Sequence, residues 1–166
     1  WGYFDDDNGV FFELNGTTLF AVLRNNVTGT PTETRVSQSL WNGDTLDGAG
    51  TSDFTLDVSK GNLYYIDFAW LGTGRIRFGV MASNGQRITA HVFENGNNVI
   101  LPWSSTPTLP IRWTNVNTNT TVSSTDLRAI CSAVYSESTT HYTYWRFGDL
   151  ESQMKPITGS VPLLSA

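Results

Sequence analysis

Apolar and polar residues along the chain alternate with a period of two, over short runs separated by turn signals. Such runs lie at 10–14, 17–24, 62–71, 74–82, 87–94, 109–116 and 142–147, each rich in β-branched and aromatic residues. Between them stand Asp7-Asn8-Gly9, Asn15-Gly16, Gly29-Thr30-Pro31, Asn42-Gly43, Gly48-Ala49-Gly50, Gly72-Thr73-Gly74, Asn84-Gly85 and Asn95-Gly96. Turns at that spacing predict an antiparallel sandwich or barrel. The expected organisation is one β-sandwich domain over 1–148. A C-terminal extension follows over 149–166, where Pro156, Gly159 and Pro162 interrupt regular structure.

The pattern also predicts register. In 62–71, Tyr64, Ile66, Phe68 and Trp70 share one face, and Leu63, Tyr65 and Asp67 share the other. A three-residue loop Gly72–Gly74 pairs Trp70 with Ile76, Phe68 with Phe78 and Ile66 with Val80, with Gly74 in the left-handed position. For the next strand, a two-residue Asn84-Gly85 turn directs Thr89, His91 and Phe93 to the core. A three-residue loop Ser83–Gly85 directs Ile88, Ala90 and Val92 there instead, and burial of the aliphatic set favours it. Asp67, Arg77 and His91 then line the opposite face, Arg77 across from His91. With Arg75 they form an expected packing or ion-pair cluster. The segment 126–135 fits helical and strand spacing alike, and the bias of the whole chain favours strand.

Composition narrows the function classes. Only 15% of the 166 residues are charged and 13% are aromatic, while Ser, Thr and Asn make up 50 positions. The aromatic and β-branched content argues against disorder. A net charge of −5 with only two lysines, Lys60 and Lys155, argues against nucleic acid as a partner. No apolar run approaches the ~18 residues of a membrane helix. The single Cys131 forms no internal disulfide and reads as a small buried hydrophobe.

Candidate chemistry is sparse. Cys131 with His91 or His141 lacks a Gly-flanked nucleophile turn, and a carboxylate pair such as Asp67 and Glu94 reads more simply as strand ends or solvent-facing acids. Asp5-Asp6-Asp7-Asn8-Gly9 is dense in oxygen ligands, yet Gly16 stands where a calcium loop carries Glu. Asp44, Asp47 and Asp53 are equally at home in tight turns. No catalytic residue, cofactor or metal is therefore assigned. Trp41, Trp103 and Tyr142 lie beside polar loop residues, so they are the candidate glycan-stacking or interface aromatics.

Several stretches together carry a resemblance: VSQSLWNGDTLDGAG (36–50), FTLDVSKGNLYYIDFAWLGTGRIRFGV (54–80), the His91 strand, LPIRW (109–113) and LRAICSAVYSES (127–138). In this order, over roughly residues 1–138, they resemble a family of virion structural proteins of tailed bacteriophages and other large DNA viruses. The most specific part is Trp70-Leu71-Gly72-x-Gly74 followed by Arg75-x-Arg77-Phe78-Gly79. Ser37 replaces a proline of the pattern, and Ser138-Thr139 replace a glycine pair.

The resemblance implies an all-β, non-enzymatic capsid- or tail-associated component of the virion, with no catalytic residues to carry over. The expected fold is an antiparallel two-sheet β-sandwich of jelly-roll type. The expected partners are other virion proteins and further copies of the chain, a trimer being favoured, with no membrane insertion. The alternative is a receptor- or glycan-binding head domain for host attachment, with a host glycan as partner.

Overall fold

The structure is a computed structural model that describes residues 1–69, 72–118 and 126–135. It is all-β, with two antiparallel sheets. Sheet one has the order β4-β3-β2-β1-β8, from β1 (Gly2–Phe4), β2 (Gly9–Asn15), β3 (Thr18–Asn25), β4 (Thr32–Ser37) and β8 (Ile111–Arg112). Sheet two has the order β5-β6-β7, from β5 (Leu63–Phe68), β6 (Ile76–Met81) and β7 (Arg87–Phe93). Both are meanders, and β8 adds the one non-sequential pairing by returning to β1. No helix among the described residues is long and apolar enough to cross a membrane.

Local chemistry sets these elements. β2 and β3 join through Gly16-Thr17, where Gly16 takes φ 63° in a position that type II′ turns reserve for glycine. Alternation then sends Val10, Phe12, Leu19 and Ala21 to the inner face of sheet one. They meet Ile76, Phe78, Val80, Ile88 and Ala90 of sheet two in a single core. Phe12 packs edge-on to Phe78 with ring centroids 5.1 Å apart, inside the range of favourable aromatic pairs.

The β5–β6 ladder keeps the expected faces and shifts the expected register by two residues. Phe68 pairs with Ile76, Ile66 with Phe78 and Tyr64 with Val80. The connection is longer than Gly72–Gly74, and Ala69 N–H donates to Arg75 O at 3.4 Å to close it. The left-handed residue is Gly72, at φ 74°, and not Gly74. A distant contact fixes that loop: Trp103 N–H donates to Gly72 O at 2.6 Å. The expected pairing partner Trp70 lies outside the described residues.

The Ser83–Gly85 loop forms as the aliphatic pattern predicts. Ala82 N–H donates to Gln86 O, and Gly85 carries φ 84°. Ile88 and Ala90 enter the core. A bulge opposite Phe78/Gly79 then exchanges the faces, so Phe78 pairs with His91 and Ile76 with Phe93. His91 and Phe93 turn inward, and Val92 takes the position across from Arg77.

Three more expectations are corrected. Only Ile111–Arg112 of 109–116 is strand. Residues 126–135 form neither helix nor strand, and Cys131 is exposed rather than buried. The chain divides into units Trp1–Ile130 and Cys131–Ala166. The expected strand 142–147 and the boundary at 148/149 lie outside the described residues.

Candidate functional site

The polar group expected around Asp67 exists in altered form. On β5, Leu63, Tyr65 and Asp67 point away from the core, as does Arg77 of β6. Arg77 Nη2 donates to Asp67 Oδ2, directly across the ladder, and Arg87 of β7 approaches the same oxygen at 3.7 Å. Beside this pair Tyr65 lies over Gly79, where a Cβ would meet its ring. Its hydroxyl bonds Thr89 Oγ1 at 2.9 Å, and the Arg87 guanidinium stacks on it at 4.3 Å from the centroid. The result is a closed outer face in which Asp67 stands between two arginines.

Arg75 and His91 do not join it. Arg75 contributes its carbonyl to the β5–β6 connection. His91 is buried edge-on to Phe93, with ring centroids 4.7 Å apart, and its Nδ1 accepts from Asn42 N–H at 3.4 Å. Burial lowers its pKa from the ordinary value.

The His91 contact belongs to a strap, Asn42–Asp44, that lies along the outer edge of β7. Asn42 behaves like a strand residue: its Nδ2 donates to Val92 O at 2.9 Å and its Oδ1 accepts from Val92 N–H at 2.8 Å. Gly43 N–H donates to Ala90 O and Asp44 N–H to Thr89 O. A Cβ on Gly43 would come within 2.5 Å of Thr89 O, so only glycine lets the strap approach this closely.

The Asp44 carboxylate anchors the far side of the strap. Its Oδ1 accepts from Leu46 N–H at 2.8 Å and its Oδ2 from Ser52 N–H at 2.9 Å. Burial pushes its pKa up, but these amides and the Ser52 and Thr51 hydroxyls outweigh that and leave it below the usual carboxylate range. Leu46, fully buried, is held at φ 55° beside it. Asp44, Asp47 and Asp53 therefore act through turns, and among the described residues no group of three or more His, Cys, Asp or Glu is placed to hold a metal. In the other acidic loop, Asp5 Oδ1 accepts from the amides of Asp7 and Asn8.

The candidate aromatics are placed differently from their sequence reading. Trp41 and Trp103 are 5% and 3% exposed and belong to the core, so neither offers a face to a sugar. Trp41 Nε1 donates to Val36 O at 3.0 Å. Trp103 forms part of the wall of a depression of about 290 Å³ with Tyr3, Pro102 and Pro107. The hydroxyls around this depression are engaged within the loop. Tyr3 Oη bonds Pro107 O and Leu109 N–H, Ser104 Oγ bonds Thr106, and Ser105 Oγ accepts from Asn8 Nδ2. Tyr142 lies outside the described residues.

One surface escaped the sequence reading. On the outer face of sheet one, Phe4, Phe11 and Val22 form a second buried cluster with Phe20 packed against it. Arg24, Arg35 and Arg112 lay their guanidinium groups over these rings. Each also pairs with a carboxylate, of Glu33, Glu13 and Asp6 respectively. The signal was present: Phe11, Phe20 and Val22 alternate away from the core set, and Arg24 and Arg35 fall on the same face.

No family model, curated protein or solved structure matches this chain.

Proposed function

We propose that the protein is a non-enzymatic structural component of a virion, capsid- or tail-associated, that oligomerises and docks to other virion proteins. One observation carries the reading beyond the resemblance of its residues. Large apolar side chains stand uncovered on irregular segments: Ile100 is 100% exposed between exposed Val99 and Leu101, and Ile130 is 97% exposed. A run of uncovered apolar side chains such as Val99 to Leu101 is surface that contact with another protein would bury. The polar faces support the same reading, since Asp67, Glu13, Glu33 and Asp6 are each paired with an arginine within the chain. A jelly-roll type of sandwich is part of the proposal, supported by the return of β8 to β1.

Light scattering coupled to size exclusion tests it at micromolar concentration. An assembled species is expected, and Ile100→Asp is expected to reduce it without lowering thermal stability. A monomer at every concentration that also fails to bind any other protein of the particle would sink the reading. The glycan-binding alternative loses two of its three platforms with the burial of Trp41 and Trp103.

A further inference from the structure

The two sheets end in four edges, and three of them are blunted. The β7 edge is covered by the Asn42–Asp44 strap. β8 is two residues long. β4 follows Pro31, and its exposed stretch Thr32–Arg35 carries Glu33 and Arg35. Short strands, charges, proline and covering loops are the ordinary protections of a sheet edge. β5, Leu-Tyr-Tyr-Ile-Asp-Phe, has none of them among the described residues: its one charge, Asp67, is on the outer face and paired with Arg77.

Alternation identifies the free groups. The bond from Ala69 N–H to Arg75 O puts 67/77 and 65/79 in bonded pairs with β6. Tyr64 and Ile66 therefore turn their N–H and C=O outward. Among the described residues no hydrogen bond engages these backbone groups.

We propose that this edge is a self-association seam, in which β5 of two copies pairs antiparallel about a two-fold axis at Tyr65. The proposal rests on the assembly reading above and names where assembly occurs. The edge is its own complement: under that axis the outward groups of Tyr64 meet those of Ile66 in the second copy, and the reverse. The facing side chains are an aromatic and a β-branched residue, a favourable cross-strand pair. With Asp67 neutralised, the strand carries no net charge to repel its copy. Leu63, an apolar residue 59% exposed, lies at the end of the seam and is covered by it. The product is a continuous six-stranded sheet. It is a two-fold contact, separate from any three-fold one, so species with even copy number follow.

Sedimentation velocity of the full chain from about 1 to about 100 µM tests this by mass action. The wild type is expected to shift from monomer to an even-numbered assembly. Leu63→Glu places a negative charge directly across from Asp67 of the second copy, and Ile66→Pro removes one outward N–H where edge strands tolerate proline. Each is expected to weaken association by at least about tenfold. Leu63→Glu alters an exposed side chain, so the test survives even if Ile66→Pro fails to fold. Hydrogen exchange at Tyr64 and Ile66 is expected to slow as concentration rises. Assembly of the wild type that both variants leave unchanged would overturn the seam and leave the assembly reading standing. A wild type monomeric throughout would overturn the seam and weigh against that reading too. Protection of both amides in the dilute monomer would show that the chain covers its own edge, and would also overturn the seam.

Discussion

The two edges of the three-stranded sheet meet the same problem with opposite outcomes. Along β7, three irregular residues supply what a fourth strand would: Asn42 pairs with Val92 through its side chain, and Gly43 and Asp44 pair through their amides. Along β5, regular alternation leaves equivalent groups of Tyr64 and Ile66 facing outward. What separates them is a buried carboxylate. Asp44 fixes the strap by accepting two backbone amides, and among the described residues no comparable anchor stands beside β5. One edge is thus closed by the fold, and the other turns its backbone groups outward with no partner among the described residues.

Removing the anchor should have the largest effect. Asp44→Ala strips the acceptor from the Leu46 and Ser52 amides and is expected to cost about 2–4 kcal/mol in urea unfolding, from about 1–3 kcal/mol for each donor left unsatisfied. It should also make the β7 edge behave like β5, with faster exchange at the Val92 amide. The same carboxylate predicts an acid limb. Its folded pKa is depressed, so its contribution is fully present above the unfolded value of about 3.9 and is lost as pH falls through the folded value. Asp44→Asn should lack that limb.

Gly43→Ala should cost somewhat less, about 1–3 kcal/mol, because the new methyl group pushes the strap away from Thr89 O while the anchor survives. Asn42→Ala should cost about 1–2 kcal/mol through two lost hydrogen bonds, leaving Val92 N–H open. Equilibrium denaturation measures both. If Asn42→Ala were neutral, the strap would not be closing the edge, and the contrast with β5 would fail.

Much of this contrast was legible in the sequence, but only up to parity. Period-two alternation assigns Tyr64, Ile66 and Phe68 to one face whatever the register, so the faces of β5 and β6 follow from it. It does not see a shift of two, and the loop length was decided by Trp103, about thirty residues away, bonding Gly72. In β7 both readings of the turn hold for half of the strand, since the bulge lets Ile88 and Ala90 and then His91 and Phe93 face inward. A bulge has no signature in apolar alternation. β1 is too short to show a period, and β4, Thr-Glu-Thr-Arg-Val-Ser, is an edge strand with few apolar positions. Trp41 and Trp103 mislead for a related reason: their polar neighbours belong to loops that fold over the ends of the core. In the sequence Asn42-Gly43 reads only as a turn, because the strap's role depends on β7, nearly fifty residues later in the chain.

The finest test of the contrast is a proton. His91 Nδ1 accepts the Asn42 amide only while that nitrogen is unprotonated, so the imidazole reports on the strap from the core side. Burial depresses its folded pKa below the unfolded value of about 6.5. Between the two values the unfolded chain binds more protons than the folded one, so stability rises with pH across that window. Its contribution is present above about 6.5 and is lost as pH falls through the folded value. Thermal unfolding between about pH 7 and pH 5 should therefore show a decline that is smaller in His91→Gln. Protection of the strap amides, measured against the intrinsic exchange rate at each pH, should fall over the same interval, with no matching change at Tyr64 and Ile66. A pH response at β5 equal to that at β7 would mean that protonation loosens the whole sheet, and the strap would lose its separate standing.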